Sequence, residues 1–94
     1  MPIARVTIDL HVTGCSSLKD KRRRLSKLRD KFGQKTHISV CESAHADALQ
    51  RAQWSFVAIA SSAKVVEQAL TEIEQYVALN VDAQIIDMQR LWLE

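Results

Sequence analysis

The stretch that decides the fold reads Ala4-Arg5-Val6-Thr7-Ile8-Asp9-Leu10-His11-Val12, then Thr13-Gly14-Cys15-Ser16, then Ser17-Leu18-Lys19-Asp20-Lys21-Arg22-Arg23-Arg24-Leu25 and onward to Phe32-Gly33. Apolar residues alternate with polar ones from Ala4 to Val12, which is the period of a strand buried on one face. Gly14 ends that strand. Ser17, followed three residues later by Asp20, is an N-terminal capping signal, so a helix is expected from Leu18 to Phe32, with Gly33 as its stop. At about 100° per residue, Leu18, Leu25, Leu28 and Phe32 share one stripe, and Lys19, Arg23, Arg24, Lys27 and Lys31 spread over the other side. Lys21 falls within the apolar stripe, where a lysine must either snorkel to the edge or serve a purpose. Arg22 and Arg29 flank it.

Further along, Thr36 to Glu42 alternates with Ile38 and Val40 inward, and Trp54 to Ala60 is apolar at nearly every position, giving a second and a third strand. Ser43 to Gln53 between them is too long for a tight hairpin. The helix-favouring composition of Ala46 to Ala52 predicts a long loop with a helical turn. Ser61 or Ser62 caps a second helix carrying Val66, Ala69, Leu70, Ile73 and Val77 on one side and Glu67, Glu72 and Glu74 on the other. A last strand runs from about Ala83 to Leu93. The order strand, helix, strand, strand, helix, strand predicts a single α+β domain over residues 1–94 of the ferredoxin-like βαββαβ type, a four-stranded antiparallel sheet with both helices on one face. Strand three is apolar on both sides, with Trp54, Phe56, Ala58 and Ala60 on one and Val57 and Ile59 on the other, and helices can cover only one face. Some apolar surface is therefore expected on the open face, where a second copy of the chain could cover it as a homodimer.

Charge is distributed unevenly. Nine of the thirteen basic residues lie between Lys19 and Lys35, which against Asp20 and Asp30 leaves that stretch at +7. The rest of the chain carries four bases and nine acids, so the net charge of +2 conceals a dipolar molecule. Clustered Lys and Arg bind phosphate without reading a base sequence, which points to RNA or another polyanion as partner. The candidate contacts are Lys19, Lys21, Arg22, Arg23, Arg24 and Lys27, close to a helix amino terminus that itself favours anions. The competing reading is a solvated basic face. The aromatics that a base-stacking sheet needs on strands one and three are missing from strand one, whose polar side offers Thr7, Asp9 and His11, so binding to shape and backbone is expected.

Glu42, His45 and Asp47 are all ligand types and form the alternative, an acid–base or metal site that Asp9 and His11 could join. The plainer reading has His45 buttressing the loop, Glu42 paired with Arg51, and Asp9 paired with Arg5 or another base. No complete ligand set or nucleophile–base pattern is present, so no enzyme, metal or cofactor is expected. A phosphate-cradling loop of the acylphosphatase kind is not matched by Thr13-Gly14-Cys15-Ser16-Ser17. Cys15 and Cys41 are too few for a disulfide framework and are expected as free thiols. Trp54 and Trp92 read as core or interface residues. No apolar run is long enough for a membrane span, and the expectation is a cytoplasmic protein.

The run Ser17-Leu18-Lys19-Asp20-Lys21-Arg22-Arg23 after a strand and Gly14, joined to Glu42, His45, Asp47 and Gln50-Arg51-Ala52, resembles the YlxP-like family of small bacterial proteins of unknown function. The resemblance spans almost the whole chain. Ala44 stands where many members have Asp, and Leu49 where many have Trp. The resemblance implies a ferredoxin-like fold and, because members are commonly encoded among genes for translation and ribosome maturation factors, a link to RNA or ribosomes. It brings no established activity.

Overall fold

Strand β1, Ile3–His11, keeps the predicted alternation: Ala4, Val6, Ile8 and Leu10 are fully buried, and the residues between them face the other way. In the computed structural model, which describes residues 1–94, β1 is one of two central strands. It pairs antiparallel with β3, Arg51–Ile59, in a register running from Ile3↔Ile59 to His11↔Arg51. Its other side pairs with β4, Gln84–Trp92, and β2, Ile38–Ala44, adds to β3 as the opposite edge. The sheet order is β2-β3-β1-β4, all antiparallel, and with helices α1 (Leu18–Phe32) and α2 (Ala63–Asn80) this is the ferredoxin-like arrangement.

Local signals set the helix ends. Gly14 has φ +68°, a left-handed conformation that a residue with a Cβ adopts only with strain, and it turns the chain from β1 toward α1. Ser17 Oγ then accepts from the Asp20 amide at 3.0 Å. At the other end the Gly33 amide donates to the Arg29 carbonyl at 2.7 Å, and a Cβ at Gly33 would meet that oxygen at 2.5 Å. Ser62 caps α2 by accepting from the Val65 amide.

The core lies between helices and sheet. Leu25, Leu28 and Phe32 of α1 and Val66, Ala69, Leu70, Ile73 and Val77 of α2 join the inward side chains of β1 and β3 in one core, and Lys21 is buried at its margin. Phe32 joins three elements, with its ring edge-on to Phe56 of β3 at 5.7 Å and to Tyr76 of α2 at 5.4 Å between centroids. Arg90 fastens the edge strand β4 to α2 through a forked pair with Glu74 at 2.8 and 2.7 Å. No helix is long and apolar enough to cross a membrane.

One expectation changes, and the open face keeps the apolar surface expected of it beside a polar mesh. The region from Ser43 to Gln53 contains no helical turn: β2 runs on to Ala44, β3 starts at Arg51, and a six-residue loop, His45 to Gln50, joins them. Its only tight element is a turn in which the Ala48 amide donates to the His45 carbonyl at 3.0 Å. A helical turn here would be too short to offset its nucleation, and the ladder that buries Ala52 and Trp54 wins. The open face of the sheet is also more polar than the composition of β3 suggests. A mesh runs across it, from Thr7 Oγ1 to Ser55 Oγ (3.2 Å), on to Ser43 Oγ (2.7 Å) and Gln53 Oε1 (2.9 Å), with Gln53 Nε2 donating to Asp9 (3.2 Å). Apolar side chains on that face gather at one end, around Ile3, Val57, Ile59 and Leu91.

Because Phe32 locks α1, β3 and α2 together, Phe32→Ala is expected to destabilise the domain by about 3–5 kcal/mol. Urea denaturation followed by circular dichroism checks this, and a loss below about 1 kcal/mol would mean that the three-way junction closes over the cavity.

Candidate functional site

The apolar stripe of α1 carries a lysine into the interior. Lys21 is only 3% exposed, and its ammonium donates to the carbonyl of His45 at 2.7 Å and to that of Ala46 at 3.4 Å. Glu42 Oε2 lies 3.0 Å from the same nitrogen. That contact is an ion pair whose angles fall short of a hydrogen bond, and no other donor reaches this buried oxygen. An ammonium has three donors, and here three oxygens surround it. Taking such a charge out of water costs several kcal/mol, which the carboxylate and two carbonyl dipoles offset.

This arrangement redefines the residues of the loop. Glu42 shares the inward parity of Ile38 and Val40 on β2 and sits opposite Trp54 in the register, so it is directed to the helix side and to Lys21, not to Arg51. His45 has φ +62°, in the left-handed region, and gives Lys21 its backbone carbonyl while its side chain stays exposed. Asp47 is exposed at the border of the same region. Asp9, His11 and Arg51 lie on the open face, across the sheet from Glu42, and Asp9 accepts from Gln53, not from a base. The alternative Glu42–His45–Asp47 site therefore does not assemble, and no group of three or more His, Cys, Asp or Glu side chains comes together to hold a metal. Cys15 is buried, with its thiol donating to the Ser17 carbonyl, and Cys41 is exposed; both are free.

The basic residues of α1 fall into separate groups. Lys21 is enclosed and offers no ammonium to a phosphate, which corrects its place among the expected contacts. Arg24 is corrected too: it donates to the Thr13 carbonyl at 2.8 Å and the Asp82 carbonyl at 3.1 Å and pairs with Asp82 and Asp20, clamping two chain reversals. Arg23 is exposed and pairs with Asp20 one turn back. Its hydrogen bond, with Coulombic help, holds the Asp20 carboxyl below its ordinary range against a smaller opposing effect of desolvation. Lys19, Arg22 and Lys27 are exposed and have no carboxylate within ion-pair distance; the same is true of Arg29, Lys31 and Lys35.

A groove of about 300 Å³ opens between α1 and the β2–β3 loop, bordered by Arg22, Ser26, Arg29, Glu42, Asp47 and Trp54. The Arg29 guanidinium lies over the Trp54 ring at 5.5 Å. Trp54 itself is 4% exposed, and its buried Nε1–H has no acceptor, an omission that costs about 1–3 kcal/mol. Sequence reasoning placed Lys21 in the stripe but missed its partner, the unpaired indole and the groove. The available signal was the inward parity of Glu42, since an acid on a buried strand face and a base on a buried helix face are expected to meet.

A family model described as a protein of unknown function (DUF503) matches residues 3–90. No curated protein matches the chain. Among solved structures, a "putative monooxygenase" from Shewanella loihica PV-4 is similar at 14% identity, TM-score 0.49, covering 97% of this chain and 96% of that one. At3g17210 from Arabidopsis thaliana is similar at 11% identity, TM-score 0.48, with coverage of 99% and 94%. The de novo designed protein Ferredog-Diesel follows at 15% identity, TM-score 0.44, with coverage of 95% and 83%.

Removing one member of the buried pair should be felt as stability. Lys21→Met and Glu42→Gln are each expected to lower it by about 3–5 kcal/mol, and Lys21→Met with Glu42→Leu to recover much of the loss, because no charge is then left enclosed. Additive losses in a urea-denaturation cycle would contradict the pairing. A second expectation concerns pH. A carboxyl whose pKa is lowered by folding stabilises above its unfolded value and loses that contribution as pH falls through its folded value. The melting-temperature gap between the native protein and Asp20→Asn should thus be present at neutral pH and shrink in acid below the ordinary Asp range; a gap that does not vary with pH would contradict it.

Proposed function

The chain belongs to this family of unknown function, and from that premise we propose that it is a non-catalytic RNA- or ribosome-associated protein that grips phosphates with the outward side of α1. The observation that carries the reading is the row of exposed cations left after the internal pairs are removed. Lys19, Arg22 and Lys27, continued by Arg29, Lys31 and Lys35, have no carboxylate partners, while Arg23 shares Asp20. A solvated helix of a soluble domain is commonly laced with acids at i,i+4, and on α1 the only acid beside Asp20 is Asp30. Like charges so crowded repel one another unless a polyanion answers them, and binding of that kind follows phosphate spacing and weakens steeply with salt.

The resemblance to YlxP-like proteins, with its link to translation genes, supports the same reading and a cytoplasmic setting. A second copy of the chain over the apolar end of the open face is compatible with it, since the helices lie on the other side of the sheet and would stay outward in a dimer. The loop bearing Glu42, His45 and Asp47 then has a supporting role, holding α1 by Lys21.

Replacing Arg22, Arg23 and Lys27 by Glu is expected to abolish co-sedimentation with ribosomal particles while circular dichroism shows the fold retained. Co-sedimentation unchanged by the triple replacement, or insensitive to salt, would overturn the proposal.

A further inference from the structure

We propose that the groove between α1 and the β2–β3 loop binds a nucleoside monophosphate, either free or as one nucleotide of an RNA strand; the second source rests on the RNA reading above. The first argument is the Trp54 indole. Buried donors are almost always paired, yet this Nε1–H has no acceptor within the protein, and the residue that carries it lines the groove. A ligand acceptor would complete it. Arg29, which lies over the ring, is an exposed side chain and can move aside by a rotamer change.

The second argument is the charge on the helical wall. Arg22, Ser26 and Arg29, at i, i+4 and i+7, share one face of α1, so two guanidinium forks without carboxylate partners flank a hydroxyl. One carboxylate ligand would answer one fork and leave the other open, whereas a phosphate presents enough oxygens for both. The other wall holds Asp47, exposed and unpaired, an acceptor suited to the exocyclic amine of a base. Leu18 and Leu25 give an apolar side against which a planar ring can lie. The volume, about 300 Å³, is at the small end of ligand sites and suits one nucleotide better than a dinucleotide.

The test follows the indole signals of ¹⁵N-labelled protein by NMR, with Trp92→Phe used so that one signal remains. AMP, GMP, CMP, UMP, orthophosphate and a short single-stranded RNA are titrated in turn. A saturable shift of the Trp54 Nε1–H signal by at least one nucleotide or by the RNA is expected, weakened about tenfold or more by Arg29→Ala, with Asp47→Asn reducing the preference for amine-bearing bases. Both altered residues are exposed, so the fold is retained. A shift with the monophosphates assigns a free nucleotide, and a shift with the RNA alone assigns a strand. No shift with any of them, or an equal response to orthophosphate, overturns the proposal. The charge-reversal variant above also removes Arg22 from the groove, so nucleotide binding is titrated in the protein with Arg22 in place and the variant serves co-sedimentation alone. A silent groove in a protein that co-sediments sinks this proposal alone, and a responsive groove in one that does not sinks the RNA reading alone.

Discussion

One ammonium, taken out of water, sets much of how this domain is held together on its α1 side. Lys21 can remain charged inside only if oxygens are brought to it, and they arrive from β2 as the carboxylate of Glu42 and from the following loop as two backbone carbonyls. The demand runs in both directions. The loop is pinned to the helix, and the helix is pinned to the edge strand of the sheet. Removal of this charge from the surface also leaves the outward side of α1 defined by Arg and Lys residues most of which have no carboxylate partner, the property on which a polyanion partner would act.

Much of the frame was legible because its signals are local. Helix α1 occupies Leu18 to Phe32 as the Ser17 cap, the glycine stop and the 3.6-residue stripe require, and β1 keeps the alternation of its sequence. The strand order follows from element types alone. What was not legible depends on contacts distant along the chain. The oxygens around Lys21 belong to residues 21 to 25 positions away, and Arg24 looks like a surface charge until Asp82, 58 positions on, is folded beside it. The helix propensity of Ala46 to Ala52 was a real local preference that lost to burial of Ala52 and Trp54 in the ladder. The groove was hidden for a different reason. An unpaired indole is a property of everything around it, and no sequence pattern reports it.

The charged residues of α1 therefore divide their work despite standing side by side. Lys21 and Arg24 act inward and toward the chain reversals, Arg23 steadies the helix start through Asp20, and the remainder face outward. A charge count over the run treats these as equivalent, although their energetic settings differ widely. The same helix thus serves as a structural member at its first turns and as a candidate binding surface along its length, and the groove lies where the two functions meet.

The left-handed turn at His45 carries one more consequence. Two of the three oxygens around Lys21 are peptide carbonyls, which every amino acid has, so position 46 can drift freely, and position 45 among residues that tolerate φ +62°, as long as the backbone keeps its course. What drift cannot change is the length of the connection. One residue inserted or deleted between Glu42 and Ala46 would shift the two carbonyls out of reach and leave the buried ammonium with the Glu42 carboxylate alone. In this hairpin the spacing, more than the spelling, holds the charge in place.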